Sequence, residues 1–306
     1  MPTTVKSGIG AWYLQTMLYK KTLANFEPEL FFAKLWEKPM VDNGIGTISW
    51  AKPSQLTVTA ATATLTEGTT PSSTAFSYTT ISTTPTQYGI YVEISDRLIK
   101  AAPTKILSDA ANEVGANMAR IIDQVIQTEV MAGTNVLYSD VSVNAARTDI
   151  ATTDLITSSL IRKWVVKLRN LNAPTIDGTY YLTVLHPFVE WDLRAETNGA
   201  YIEFSKYTTP DKLFKGEIGA LMGSRFVISS NVQTFTSTTT VYPSLMMWKG
   251  AYWVADWSSL ESIYKPLGSG QDPLEQRATV GAKVDFAAKR LQENAMVRLE
   301  TAATAV

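Results

Sequence analysis

The chain contains no cysteine, which removes disulfides, thiolate zinc sites and cysteine nucleophiles together. Its single histidine, His186, leaves only carboxylate-dominated metal sites. The loop acids Asp140/Asp149 and Asp272/Glu275 lack calcium-loop spacing. Charge is scarce: 18% of residues are charged, and 27 basic against 28 acidic residues give net −1. That balance offers no strong electrostatic grip on nucleic acid. No apolar run reaches the roughly 18 residues that span a bilayer, and no charged-then-apolar leader opens the chain. The expectation is a chain that is cytoplasmic where it is made and does not engage a membrane. Neither a Gly-x-Ser-x-Gly elbow nor a phosphate-binding Gly-x-x-x-x-Gly-Lys loop occurs. Gly216/Gly219 and Gly219/Gly223 miss dinucleotide spacing and read as turns.

What is present is hydrophobic residue, 45% of 306, enough to bury a sizeable core in one large domain or two interleaved ones. A surface this poor in charge suggests cover by partners. The most unusual stretch is 47–94. Between Pro53 and Val92 its one charge is Glu67, and about half of residues 54–86 are Ser or Thr. Apolar residues alternate in Ile48/Trp50, Phe76/Tyr78 and Tyr88/Ile90/Val92/Ile94, the period of a strand. A turn-rich middle around Glu67-Gly68 and Pro71 makes the whole a long β-ribbon. Arms of about 15 residues would reach roughly 50 Å. A lone ribbon is marginal in water, so it needs a further surface, expected on a neighbouring copy.

Residues 1–46 form an aromatic arm carrying Trp12, Tyr19, Phe26 and Trp36, to be buried on its own domain or on a partner. The clearest helix covers 104–132, with Gly133 as its C-cap and Asp109, Glu113, Arg120 and Asp123 off the apolar stripe. Residues 135–270 alternate helices with apolar strands and read as a mixed α/β layer domain. Its second helix carries Leu160, Ile161, Trp164, Val165 and Leu168, and Tyr252-Trp253-Val254 extend its sheet. The tail alternates at Val280/Ala282/Val284/Phe286 and Ala295/Val297/Leu299, giving one or two strands expected beside the long helix.

Chemistry is thinly represented. His186 precedes Pro187 and reads as a structural histidine at a strand end. The basic set Arg162/Lys163/Lys167/Arg169 reads as a solvated helix face, because acids elsewhere match it. Eight tryptophans and thirteen tyrosines would suit sugar stacking but suit core and interface better. Carboxylate pairs leave no local signature, so an aromatic-rich hydrolase stays open as the enzyme alternative.

Taken in order, Thr47-Ile48-Ser49-Trp50, residues 65–71, residues 87–96, Tyr181 to His186-Pro187 and Gln276 to Phe286 resemble a known family. It is that of the tailed-bacteriophage major capsid proteins with the Hong Kong 97 capsid fold, in the N-four-type coat branch. The resemblance implies an α+β fold with an N-terminal arm (1–46), an extended β-ribbon loop (47–94), a peripheral domain with a long spine helix (95–134 and 271–306, spine 104–132) and an axial domain (135–270). It implies no enzyme and no cofactor. The expected function is a virion shell of pentamers and hexamers enclosing double-stranded DNA, with portal, scaffolding and decoration proteins as further partners, made in a host bacterial cytoplasm. Expected subunit-interface residues are Trp12, Tyr19, Trp50, Glu67, Phe76, Tyr78 and Arg97. Some relatives crosslink a ribbon lysine to an asparagine; no lysine lies between Pro53 and Val92 here. The short arm implies that any scaffolding is a separate protein. A cellular nanocompartment shell shares the fold, and a tail or fibre component is a further alternative.

Overall fold

A computed structural model describes residues 22, 32, 46–54, 56, 58–59, 63–65, 67–68, 73–101, 105–139, 145–176, 178–196, 220–248, 250–268 and 274–304. The architecture follows from where the tail's alternating residues go. Strand β11 (Arg277–Arg290) is the middle of a three-stranded antiparallel sheet, between β10 (Tyr252–Lys265) and β3 (Thr86–Ser95). Its Ala282, Val284 and Phe286 turn to one side and pack against a helix of 27 residues, α2 (Lys105–Met131). Val114, Met118, Ile122 and Ile126 return every fourth position to the buried face, the helical period that a core-facing stripe requires. Ahead of this helix, α1 (Asp96–Ala101) continues directly from β3.

The helix is buried on more than one side. Asp123, expected off the apolar stripe, is fully buried. Beside it Gln127 donates to the Asn231 carbonyl at 2.7 Å and accepts from the Gln233 amide at 2.9 Å, so a later loop covers that flank. On another flank the Thr22 backbone closes on Gly115 so tightly that a Cβ there would collide with it. Gly133 is not a left-handed cap: it is absent from the glycines with positive φ. Its missing side chain instead leaves room for the Arg290 guanidinium.

The second sheet is mixed. Among the described residues its order is β4 (Val136–Tyr138), β12 (Met296–Thr301), β9 (Thr240–Met247), β5 (Tyr181–Leu185), β7 (Ser224–Ile228) and β6 (Ala220–Leu221), with β8 (Phe235–Thr236) on β9. Tyr181, Leu185, Met246, Val297 and Leu299 face two helices, α3 (Ser158–Asn170) and α4 (Pro187–Ala195). Leu182, Val184, Leu245 and Met247 face the other way into the core shared with α2. Thr157 caps α3 by accepting from the Leu160 amide. Trp164, fully buried, donates its indole N–H to the Val297 carbonyl at 3.0 Å, fastening α3 to β12.

Three further expectations are corrected. Tyr252-Trp253-Val254 do not extend the seven-stranded sheet. A turn at Gly250, with φ 88°, takes the chain out of that sheet, and they pair with β11. The tail's second strand does not lie beside the long helix, because β12 pairs between β9 and β4 in the mixed sheet. The ribbon is shorter than drawn: β1 (Ile48–Pro53) pairs with β2 (Tyr78–Thr83), while β3 belongs to the body. Six residues per strand make about 20 Å of paired ribbon. Pro53, with no N–H to donate, ends the regular pairing apart from one further bond, Ser54 N–H to the Ser77 carbonyl.

Candidate subunit interface

Among the described residues, the ribbon is held at one end only. Ile48 is buried with Trp253 and Ala255, and the Trp50 ring lies 6.1 Å from that of Trp253, tilted by 50°. Beyond this foothold every described residue from 56 to 80 is exposed. The exposed set includes Leu65 at 72%, Phe76 at 56% and Tyr78 at 63% of full accessibility. Phe76 and Tyr78 stack edge to face, with ring centroids 5.0 Å apart, so the ribbon presents a preformed aromatic pair. At the far end Gly68 takes φ 79°, which turns the chain beside the exposed Glu67. A chain that displays this much apolar surface on a two-stranded arm leaves its burial to another molecule.

A second unsatisfied feature lies at the ribbon's root. Among the described residues β3 is an outer strand of its sheet, with Tyr91 and Val92 exposed and one row of backbone groups open to pairing. Between β3, the ribbon base and the long helix is an open cavity of about 350 Å³, lined by Thr83, Thr86, Tyr88, Val125, Glu129 and Phe286. Arg97 is exposed on α1, where the neighbouring Asp96 carboxylate meets Lys100 at 3.0 Å. That hydrogen bond holds the Asp96 carboxyl below its ordinary range.

Charge inside the molecule is structural. Glu300 is fully buried and accepts two hydrogen bonds from Arg147, both at 2.7 Å. Arg298 Nε also lies 2.7 Å from it. The Arg147 guanidinium sits 3.8 Å from the centre of the Phe235 ring. The Glu300 hydrogen bond raises the Arg147 pKa, whereas burial lowers that of Arg298. This cluster pins the 145–150 loop to the end of β12. His186 caps α4: its Nδ1 accepts from the Phe188 amide at 3.2 Å, and its ring meets those of Phe188 and Tyr242. Burial pushes its pKa below the ordinary value.

Of the expected interface residues, Trp50, Glu67, Phe76 and Tyr78 fall on the one projecting ribbon, and Arg97 lies apart from it on α1. Trp12 and Tyr19 lie outside the described residues. Two of the arm's described residues, Thr22 and Phe32, rest on their own subunit. Thr22 is buried against Gly115 and Ser262, and the carbonyl of fully buried Phe32 accepts from the Tyr252 hydroxyl at 2.7 Å. Leu65 and Tyr91 were missed. Tyr91 breaks the parity of Tyr88/Ile90/Val92/Ile94, and an aromatic on the outward side of an alternating strand was the available signal.

A projecting ribbon, an open strand edge and a spine helix between two sheets define a shell-forming subunit of the Hong Kong 97 type. Solved capsids share this fold. The chain is similar to the capsid of cyanophage Pam1 (TM-score 0.72, 11% identity, 93% of each chain covered). It is similar to the capsid of cyanophage P-SCSP1u (0.68, 14%, 90% of this chain and 89% of that one). It is also similar to that of Ralstonia phage GP4 (0.65, 15%, 86% and 85%). No curated protein matches the sequence. A family model described as phage capsid protein matches residues 77–299; the chain belongs to that family.

Proposed function

We propose that this capsid protein assembles into pentamers and hexamers of an icosahedral shell, each copy laying its ribbon on the next. The observation that carries the reading is the ribbon: anchored at Ile48 and Trp50, exposed at every described position from 56 to 80. Such head-to-tail contacts close into rings when the rotation closes. Several modest contacts per subunit add through effective concentration. Backbone pairing along a Thr-rich strand gives affinity without exact side-chain matching, which suits one sequence to rings of two sizes. In this reading residues 95–134 with 271–306 form the peripheral domain and 135–270 the axial domain, redrawn so that β10 goes with β11 and β12 with the mixed sheet. The contents are double-stranded DNA, and portal, scaffolding and decoration proteins complete the virion after synthesis in the host cytoplasm. The N-four-type branch belongs to the same proposal, supported by the segments 47–50, 65–71 and 87–96. The family is one of structural proteins, and its match to 77–299 disfavours the hydrolase reading. Negative-stain microscopy of the purified protein tests the proposal: closed shells support it, and rods or isolated trimers contradict it.

A further inference from the structure

All four ionisable residues of α3 are cations: Arg162, Lys163, Lys167 and Arg169. Lys167 is used internally, its ammonium donating to the Val136 carbonyl at 2.8 Å. The other three side chains are exposed, and none forms an ion pair with a described residue. Among the described residues, the three acids of α4 and its C-terminal cap lie on the same side of the mixed sheet and could have neutralised them, but each is engaged elsewhere. Glu190 pairs with Arg194 at 2.5 Å, Asp192 is buried and accepts from the Thr304 amide at 2.9 Å, and Glu196 takes the Ser158 amide at 2.9 Å. Among the described residues, no acid therefore meets this face. Arg162 and Arg169 lie two turns apart on one stripe, about 10 Å along the axis, with exposed Val166 between them and Lys163 on the flank.

We propose that the α3 face is a nucleic-acid backbone contact: Arg162, Lys163 and Arg169 meet the phosphates of double-stranded DNA on the inner side of the shell. This rests on the shell reading above and adds to it the surface that faces the contents. A protein partner fits less well. Val166 is the one exposed large apolar residue of α3 itself, whereas a protein interface needs a desolvated apolar core within a patch of about 800 Å² per partner. A phosphate backbone needs only positioned cations. Three contacts per copy are weak alone, and repetition around a shell makes them count. The near-zero net charge of the whole chain is compatible with this, because the cations are local.

The test uses soluble subunits before assembly, with a short fluorescently labelled DNA duplex as probe and anisotropy as readout across a salt series. Neutralising three phosphate contacts predicts a log–log salt slope steeper by about 2.7 for the native chain than for R162Q/K163Q/R169Q. That difference is about 40-fold in relative affinity between 50 and 200 mM salt. R162K/R169K, which keeps the charges, retains the native slope. Should the triple variant fail to fold, each single Gln variant lowers the slope by about 0.9. Equal slopes in native and neutralised chains overturn the proposal. Sidedness is read separately, with an amine-reactive polymer too large to cross a shell: Lys163 is protected in intact particles and labelled after their disruption. Labelling in intact particles places the face outside, toward an acidic protein partner, and overturns the DNA contact while leaving the shell reading intact. Absence of any closed particle would instead overturn the shell reading.

Discussion

Phe76→Ala separates a residue that holds its own subunit from one that holds the neighbour. In the free chain 56% of Phe76 is accessible, which for an aromatic of roughly 200 Å² leaves about 110 Å² for a partner to cover. At about 25 cal/mol per Å² that burial contributes about 2.8 kcal/mol per contact, an upper estimate. The edge-to-face pair with Tyr78 is present before and after assembly, so its loss largely cancels. Each subunit donates one ribbon, and the concentration at which shells form should rise about 100-fold. The melting temperature of the unassembled subunit should move by no more than about 2 °C. Light scattering against protein concentration gives the threshold, and circular dichroism gives the melting curve. A threshold within about threefold of the native one, with melting unchanged, would refute the assignment of the ribbon to a neighbour. A large fall in melting with no change in threshold would make Phe76 a prop of its own subunit.

Three further outcomes are expected. Deleting residues 54–84 should leave a soluble, folded protein that forms no particles, and shells seen by negative stain would contradict this. Glu300→Gln removes the counter-charge facing Arg147 and Arg298, which should cost about 3 kcal/mol and about 5 °C of melting temperature; unchanged melting would show that the cluster is incidental. His186→Gln should affect stability alone. Because burial holds the native imidazole pKa below 6.5, the unfolded chain binds the extra proton first. The native contribution is then complete above that pH and is lost as pH falls through the lower folded value. Protonation also removes the acceptor for the Phe188 amide. The variant should lack this acid decline while assembling normally; failed assembly with normal melting would point to a role beyond the cap.

Much of the fold was legible because its apolar periods are long. The spine stripe from Val114 to Ile126 and the tail alternation from Val280 to Phe286 each persist over several turns or pleats, and each became the element expected. Pairing partners were less legible, since period alone does not say which strand lies beside which. Tyr252-Trp253-Val254 read equally well in either sheet, and the left-handed turn at Gly250 decided between them. Asp123 misled because composition marks a carboxylate as solvent-facing, whereas a loop distant in sequence covers that flank through Gln127. The scarcity of charge across residues 54–91, where Glu67 is the one charged side chain, marked out the projecting ribbon in advance. The Arg147–Glu300–Arg298 cluster was invisible, because Arg147 lies 153 residues from Glu300 and meets the two β12 residues only in the folded chain.

Hydroxyl-radical footprinting of Leu65, Phe76 and Tyr78, in free subunits and in purified particles of the same protein, asks most directly where the ribbon goes. Strong labelling in the subunit and marked protection in the particle is the result expected of a ribbon seated on a sister copy. Equal labelling in both states would mean that no neighbour covers it, and the account of how this shell closes would fail.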